Sequence, residues 1–372
     1  MRALDALVVG AGPVGLATAI ELARRGARAL VVERRAPPLD KACGEGIMPA
    51  GVRALDALGV ALPALPAARF RGVRFVDGAR TLTGAFRSGP GLGVRRTALS
   101  RALLDAAARA GVDVRFGCAL ESFDADAAGV RATTSEGELR ARVLVGADGL
   151  ASRVRARAGL ASPPARRRRF GMRRHFRVAP WSDLVEVHWG EGIEAYVTPV
   201  AADEVGVALL WRGDGGSYDA HLARFPALAR RLADAERVST VRGAGPFWQG
   251  ARARTAPGIA LVGDAAGYTD AVTGEGITVG LACARALART IAEGAPLARY
   301  EADWRRLTRV HRGFAALLAT GVAHPRARRA AFALLAAAPP AFGALLRLAA
   351  GEPPASRGRR ADEGAPEPRR VT

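Results

Sequence analysis

Cysteine is scarce in this sequence: Cys43, Cys118 and Cys283 are the only ones among 372 residues, and no two form a Cys-x-x-Cys pair. That excludes a disulfide framework and a thiolate zinc site, and it fits a reducing, cytoplasmic setting. Histidine is almost as sparse. His175, His188, His221, His311 and His324 are scattered without metal-ligand spacing, so no metal is expected and each is read as structural or exposed. A long apolar run is missing too. The best candidate, residues 330–346, is interrupted by Pro339-Pro340 and falls short of the roughly 20 residues that a membrane span needs. No signal peptide is expected, because the first residues run straight into the apolar stretch Leu4-Asp5-Ala6-Leu7-Val8-Val9 and a glycine turn.

Acidic residues are in deficit, 35 against 55 basic ones, for a net charge of +20. Nearly all the basic residues are arginines in an alanine-rich chain, so compositional bias is the simplest cause. The densest patch, Arg166 to Arg169 with Arg173 and Arg174, has little aromatic interleaving, and no nucleic-acid partner is expected. A solvated linker accounts for the patch, with an anionic membrane surface or cofactor phosphates as alternatives.

What is present is a core and a clear grammar. Hydrophobic residues make up 49% of the chain, and its length suits one large or two ordinary domains. The start reads strand–helix–strand over Ala3 to Val9, Pro13 to Arg25 and Arg28 to Glu33, which predicts parallel pairing with a right-handed crossover. Thr97 to Ala110 reads as an amphipathic helix, Val112 to Phe116 and Val143 to Val145 as strands, and Leu120 to Arg140 as a meander. From Phe170 to Trp211 apolar and polar residues alternate between Gly and Asp-Glu turns, the pattern of an antiparallel sheet. After about Ala251 the α/β pattern returns, and residues 297–350 read as helices.

Three segments carry the chemistry. Gly10-Ala11-Gly12-Pro13-Val14-Gly15 follows a strand and opens a helix. Its first glycine permits a tight turn, its second lets the backbone approach a pyrophosphate, and its third lets the helix pack on the sheet. Glu33, 18 residues after Gly15, is placed to accept hydrogen bonds from a ribose and would repel a 2′-phosphate. The second segment runs Gly146-Ala147-Asp148-Gly149 to Arg155. The third is Gly263-Asp264-Ala265-Ala266-Gly267, continuing through Asp270, Thr273, Gly274, Glu275 and Gly276 into a helix.

In this order and spacing the segments resemble the glycine, DG and GD motifs of the FAD-dependent aromatic hydroxylase superfamily. That group includes p-hydroxybenzoate hydroxylase-like enzymes and the geranylgeranyl reductases. Arg96-Thr97-Ala98-Leu99 with Leu103 resembles the same family's Arg-x-x-Leu-x-x-x-Leu helix start. The resemblance spans about residues 4–310. It implies FAD as cofactor, with Gly10, Gly12, Pro13, Val14, Gly15, Glu33, Arg34, Arg96, Asp148, Gly263, Asp264, Gly274, Gly276 and Ile277 around it. Glu33 would hold the adenosine ribose, Gly10 to Gly15 the pyrophosphate, Asp264 the ribitol and the Gly274–Gly276 turn the ring, while Asp148 would shape the cleft at the flavin–nicotinamide side. The fold class expected is α/β (α+β). A discontinuous Rossmann-type FAD-binding domain (1–70, 93–165, 250–312) carries an inserted antiparallel sheet for substrate (71–92, 166–249), C-terminal helices (313–350) and a disordered tail (351–372).

The choice of chemistry stays open at this level. Lys41-Ala42-Cys43-Gly44-Glu45-Gly46 and Thr273-Gly274-Glu275-Gly276-Ile277 resemble geranylgeranyl reductases, whereas aromatic hydroxylases tend to carry Gln at the place of Glu275. Cys43, Gly274, Glu275 and Gly276 are therefore the catalytic candidates, with plain packing as the alternative for Cys43. The reductases' Tyr-x-Trp-x-Phe-Pro run is reduced here to Tyr196 and Pro199, so the same polyprenyl substrate is not expected. The Trp-x-Trp-x-Ile-Pro run of halogenases is absent. The resemblance implies an FAD-dependent oxidoreductase acting on a hydrophobic small molecule (phenolic, polyketide or isoprenoid). NAD(P)H-dependent monooxygenation comes first, C=C reduction second, and a non-catalytic flavin- or lipid-binding protein third. NADH or NADPH is the expected donor, although no second Gly-x-Gly-x-x-Gly is present. Alternation could bring some of Trp189, Tyr196 and Trp211 above the ring. Residues 330–348 could cover the pocket, rest peripherally on a membrane or pack on the protein. Nothing in the sequence sets the oligomeric state.

Overall fold

The computed structural model describes residues 4–163, 168–213, 215–268, 274 and 276–351. One sheet runs in the order Thr255–Ala256, Ile259–Leu261, Gly137–Gly146, Leu4–Val9, Ala29–Glu33, Asp113–Phe116. Apart from the first pair its neighbours are parallel. The central strand Leu4–Val9 is apolar and buried from Ala6 onward, as a strand covered on both faces must be. The carboxyl ends of these strands open into Gly10, Arg34, Ala147 and Val262, and a parallel sheet binds its ligand at that edge. Helix Pro13–Ala23 lies against helix Gly276–Ala292. The fit is close enough that a Cβ on Gly280 would stand 2.5 Å from Val14 Cγ2.

The inserted sheet runs Glu236–Arg237, Arg169–Arg177, Glu204–Arg212, Ile193–Ala201, Leu184–Trp189, Gly72–Asp77, Arg80–Ala85. It is antiparallel except where Gly72–Asp77 joins Leu184–Trp189 in parallel. That hairpin arrives from an earlier part of the chain, so no tight turn dictates its direction. Alternation divides the faces. Ala208 and Leu210 join Val185, Val187 and Tyr196 on one side, while Val207, Leu209 and Trp211 pack on the other with Tyr218 and Leu222. A small third sheet, Gly46–Ile47 with Gly91–Val94 and Ala67–Phe70, connects the two large ones.

Residues 297–350 are helical, as expected: Ala298–Ala323, Pro325–Ala337 and Pro339–Ala349. The break at Ala338 divides the apolar stretch, and among the described residues no single helix is long and apolar enough to cross a membrane. The last helix packs Phe342 and Leu346 on the outer hairpin, where Gly84 leaves room for them. Arg328 anchors the group with two contacts to Asp77, at 3.1 and 3.3 Å. Of the tail expected to be disordered, 351–372, all but Gly351 lies outside the described residues.

Candidate active site

A cavity of about 840 Å³ runs from the carboxyl edge of the parallel sheet to the inner face of the inserted one. Gly10, Gly12, Glu33, Arg96 and Asp264 line one end, and Phe75, Val187, Leu210 and Phe247 the other.

The first end is built by backbone. Gly10 has φ of 110°, and a Cβ there would stand 2.5 Å from the Ala147 carbonyl oxygen. A Cβ on Gly15 would come within 2.0 Å of the Gly10 oxygen, whereas one on Gly12 would meet nothing within 4 Å. Gly12 therefore faces open space at the start of the Pro13–Ala23 helix, which no side chain caps. An uncapped helix N-terminus attracts an anion through its free N–H groups and its dipole. Val14 supports this turn by filling the gap beside Gly263 and Gly280. The Glu33 carboxylate accepts from the N–H of Ala11 (3.1 Å) and of Arg35 (3.0 Å). Arg34 is exposed at the cavity edge. Arg96 donates its backbone N–H to Glu45 Oε1 at 2.9 Å, and its Nε is buried without a partner. The open cradle at Gly12, the uncapped helix and the orphaned Arg96 Nε together fit a pyrophosphate such as that of FAD.

Further in, Lys41 Nζ lies 2.7 Å from Asp264 Oδ2. Burial pushes the Asp264 carboxyl up, but the Lys41 ammonium, with Arg96 and Arg155 behind it, holds it below the usual carboxylate range. Buried Arg155 donates to the Ala265 carbonyl (3.0 Å) and the Leu150 carbonyl (2.7 Å), tying the second motif to the third. Both Asp148 oxygens are engaged locally, by Ser152 Oγ at 2.5 Å and by the N–H groups of Arg153 (2.7 Å) and Val154 (3.1 Å). Asp148 thus supports the first turn of the Arg153–Arg157 helix, whose N-cap is Ser152, and it borders the cavity with both carboxylate oxygens engaged. Gly274 has φ of 65° and lines the cavity with Gly276 and Ile277. Glu275 lies outside the described residues, as do Asp270, Thr273, Arg166 and Arg167.

Cys43 is half-buried and lines the cavity, and its Sγ accepts the N–H of Glu45 at 3.3 Å. Of the three aromatics on the sheet, Tyr196 lines the cavity. Trp189 packs edge-on to Phe75, and Trp211 sits on the opposite face against His221. Sequence reasoning missed the side chains behind Cys43. His175, Arg173 and Glu45 are each about 2% exposed. Arg173 Nη1 donates to His175 Nδ1 (3.1 Å), which leaves the proton on Nε2 to be donated to Glu45 Oε2 (2.5 Å). The available signal was the strand's alternation, which puts Arg169, Arg173 and His175 on one face, the buried one, and not in a solvated linker.

The comparisons with known proteins agree with this geometry. Residues 3–205, just over half of the chain, match the FAD binding domain family. Over 168 residues the chain is 34% identical to the 3-(3-hydroxy-phenyl)propionate/3-hydroxycinnamic acid hydroxylase of Mycobacterium sp. (strain JLS), which is 42% of this chain but only 29% of that protein. Over 329 residues it is 30% identical to the digeranylgeranylglycerophospholipid reductase of Methanothrix thermoacetophila, covering 81% of this chain and 83% of that protein. A flavoprotein/dehydrogenase from Cytophaga hutchinsonii shares the fold, with a TM-score of 0.82 at 21% identity over 94% of this chain and 93% of that one. The chain belongs to the FAD binding domain family, within the superfamily that joins FAD-dependent hydroxylases to geranylgeranyl reductases.

Proposed function

We propose that this chain is an FAD-dependent oxidoreductase that draws electrons from NADH or NADPH and monooxygenates a hydrophobic small molecule (phenolic, polyketide or isoprenoid). One observation carries the reading: the dinucleotide cradle and an apolar compartment are two ends of the same cavity. A redox cofactor laid along the first end presents its reactive part to the second.

Gly12, the start of the Pro13–Ala23 helix and Arg96 would hold the pyrophosphate, and Glu33 the ribose. Asp264 would orient the ribitol, and Lys41 places a positive charge beside it. That charge and the N-terminus of the Gly276–Ala292 helix favour negative charge at the ring end. Bound FAD would supply reversible two-electron chemistry between the nicotinamide donor and the substrate. The wall formed by Phe75, Val187, Leu210 and Phe247 selects apolar substrates and excludes water.

A second reading, reduction of a substrate C=C bond, draws on the near full-length likeness to a reductase and on Cys43 at the cavity wall. Substrate-dependent NAD(P)H oxidation with and without oxygen separates the two. A monooxygenase stops when oxygen is removed, and a reductase continues. In the reductase case Cys43→Ala should slow turnover, and unchanged rates would leave Cys43 a packing role. A protein that is colourless and takes up no FAD would favour non-catalytic binding and end both readings.

The proposal includes a cytoplasmic protein with peripheral membrane contact. The exposed large hydrophobics Val310, Leu317, Leu334 and Leu348 all stand on the three C-terminal helices. Co-sedimentation with anionic vesicles tests this, and failure to bind removes it.

A further inference from the structure

We propose that His175, on the inserted sheet, is a positioning residue for the flavin site: through Glu45 it holds the segment 40–45 in place beside Asp264. The inference rests on the FAD reading above.

Residues 40–45 belong to no helix or strand, so no ladder of their own fixes them. They are held mainly from the inserted sheet. Asp40 pairs with Arg173 (2.5 Å) and Arg242 (3.1 Å). The Lys41 carbonyl accepts from Arg173 Nη2 (3.2 Å) and the Gly44 carbonyl from Thr198 Oγ1 (2.8 Å). Glu45 has φ of 60°, a conformation that a residue with a side chain keeps only when its surroundings impose it. The imposing contacts are visible. Oε1 accepts the Arg96 N–H, Oε2 accepts the His175 Nε2–H, and the Glu45 carbonyl accepts the Val94 N–H at 3.1 Å. Ser239 Oγ lies 2.9 Å from both His175 N and Nδ1, so the ring is fixed on its far side as well. The buried Arg173 guanidinium faces the carboxylates of Asp40 and Glu45, with the half-exposed Arg242 on the outer side of Asp40, so the buried charges are paired. An apolar residue in place of His175 leaves Glu45 Oε2 without its donor, and that oxygen faces the Gly206 backbone, where a Cβ would come within 3.2 Å of it. Released from that side, the segment, which lines the cavity along its length, loses its hold on Lys41 and Cys43.

Lys41 is the single lysine of the chain, so an amine-acylating reagent followed by peptide mass spectrometry reads this segment directly. The test uses the full chain, apo and FAD-loaded, comparing His175→Leu with His175→Gln. Glutamine can donate to Glu45 and accept from Arg173, as the neutral imidazole does. In the apoprotein His175→Leu should raise the Lys41 acylation rate about fivefold and weaken FAD binding about tenfold, with His175→Gln within about threefold of wild type in both. A folded His175→Leu protein with both readouts unchanged overturns the proposal. So does equal damage in both variants, which would mean packing alone. Where His175→Leu does not fold, Glu45→Gln should raise Lys41 acylation in the same way, and an unchanged rate overturns the proposal. A wild-type chain that takes up no FAD removes the cofactor reading, while the acylation comparison still decides whether His175 positions Lys41.

Discussion

The two ends of the cavity are made of different material. The nucleotide end is backbone: a left-handed Gly10, an open Gly12 and a helix that starts uncapped. The apolar end and its supports are side chains on the inserted sheet, joined to the rest of the chain by buried polar contacts such as Glu45–His175, 130 residues apart in sequence. A backbone site demands fixed residue types at fixed spacing whatever surrounds it, whereas a side-chain site depends on which strands meet. The first kind can be read from one sequence and the second cannot.

That contrast can be broken experimentally, most strongly within the glycine turn. Gly15→Ala drives a Cβ into the Gly10 carbonyl and should cost about 3 kcal/mol or more of stability in chemical denaturation. Gly12→Ala has space around it and an ordinary φ of −70°. It should keep the wild-type melting temperature yet weaken FAD binding at least about 100-fold. If both variants unfold alike, the division between packing glycine and ligand glycine fails.

A second pair sets the two ionic clusters of one strand against each other. Arg169–Glu194 and Arg173–Asp40 both involve a buried guanidinium. Arg169→Met should cost about 3–5 kcal/mol, because it takes the buried guanidinium away from the buried Glu194 carboxylate, and Arg173→Met less, because Asp40 is partly exposed and keeps Arg242. Only Arg173→Met should also weaken FAD binding in a quenching titration, since Arg169 does not reach the cavity.

The Lys41–Asp264 pair is partly exposed and should contribute about 1 kcal/mol at most. Its pH signature has a definite sign. The folded Asp264 carboxyl lies below 3.8, so its contribution is fully present above that value and is lost as pH falls through the lower folded value. Lys41→Met removes the main lowering influence and leaves the upward push of burial. Acid unfolding followed by circular dichroism should then begin at higher pH than in wild type. The smallest effect is expected at Leu334, 72% exposed on a C-terminal helix, where Leu334→Gln should change stability by no more than about 0.5 kcal/mol.

Much of the fold was legible in the sequence. The strand–helix–strand start, the antiparallel stretch from Phe170 to Trp211 and the C-terminal helices all stand where the periodicity put them, within a residue or a few at their ends. The parallel entry of Gly72–Asp77 was not legible, because strand direction is set by a partner 112 residues away (Gly72 opposite Leu184) and not by a turn. Asp148 was read as part of the cleft wall, and it does line the cavity, but its carboxylate binds the first turn of the helix that Ser152 caps. The Ser152 four residues on was the available sign of a capping turn. His175 was grouped with the structural or exposed histidines. It is buried, as a structural histidine is, but Ser239 and Glu45 reach it from 64 and 130 residues away, and those pairings no local pattern announces. The contribution of Leu346 and Ala350 to the cavity wall likewise depends on the last helix folding back over the outer hairpin.

The most direct measurement is an equilibrium titration of FAD into the purified full chain, read by quenching of flavin fluorescence, with Gly12→Ala measured beside it. The account predicts saturable one-to-one binding by the wild type and at least about 100-fold weaker binding by Gly12→Ala at an unchanged melting temperature. A wild-type chain that binds no FAD, or a Gly12→Ala chain that binds it equally well, contradicts it.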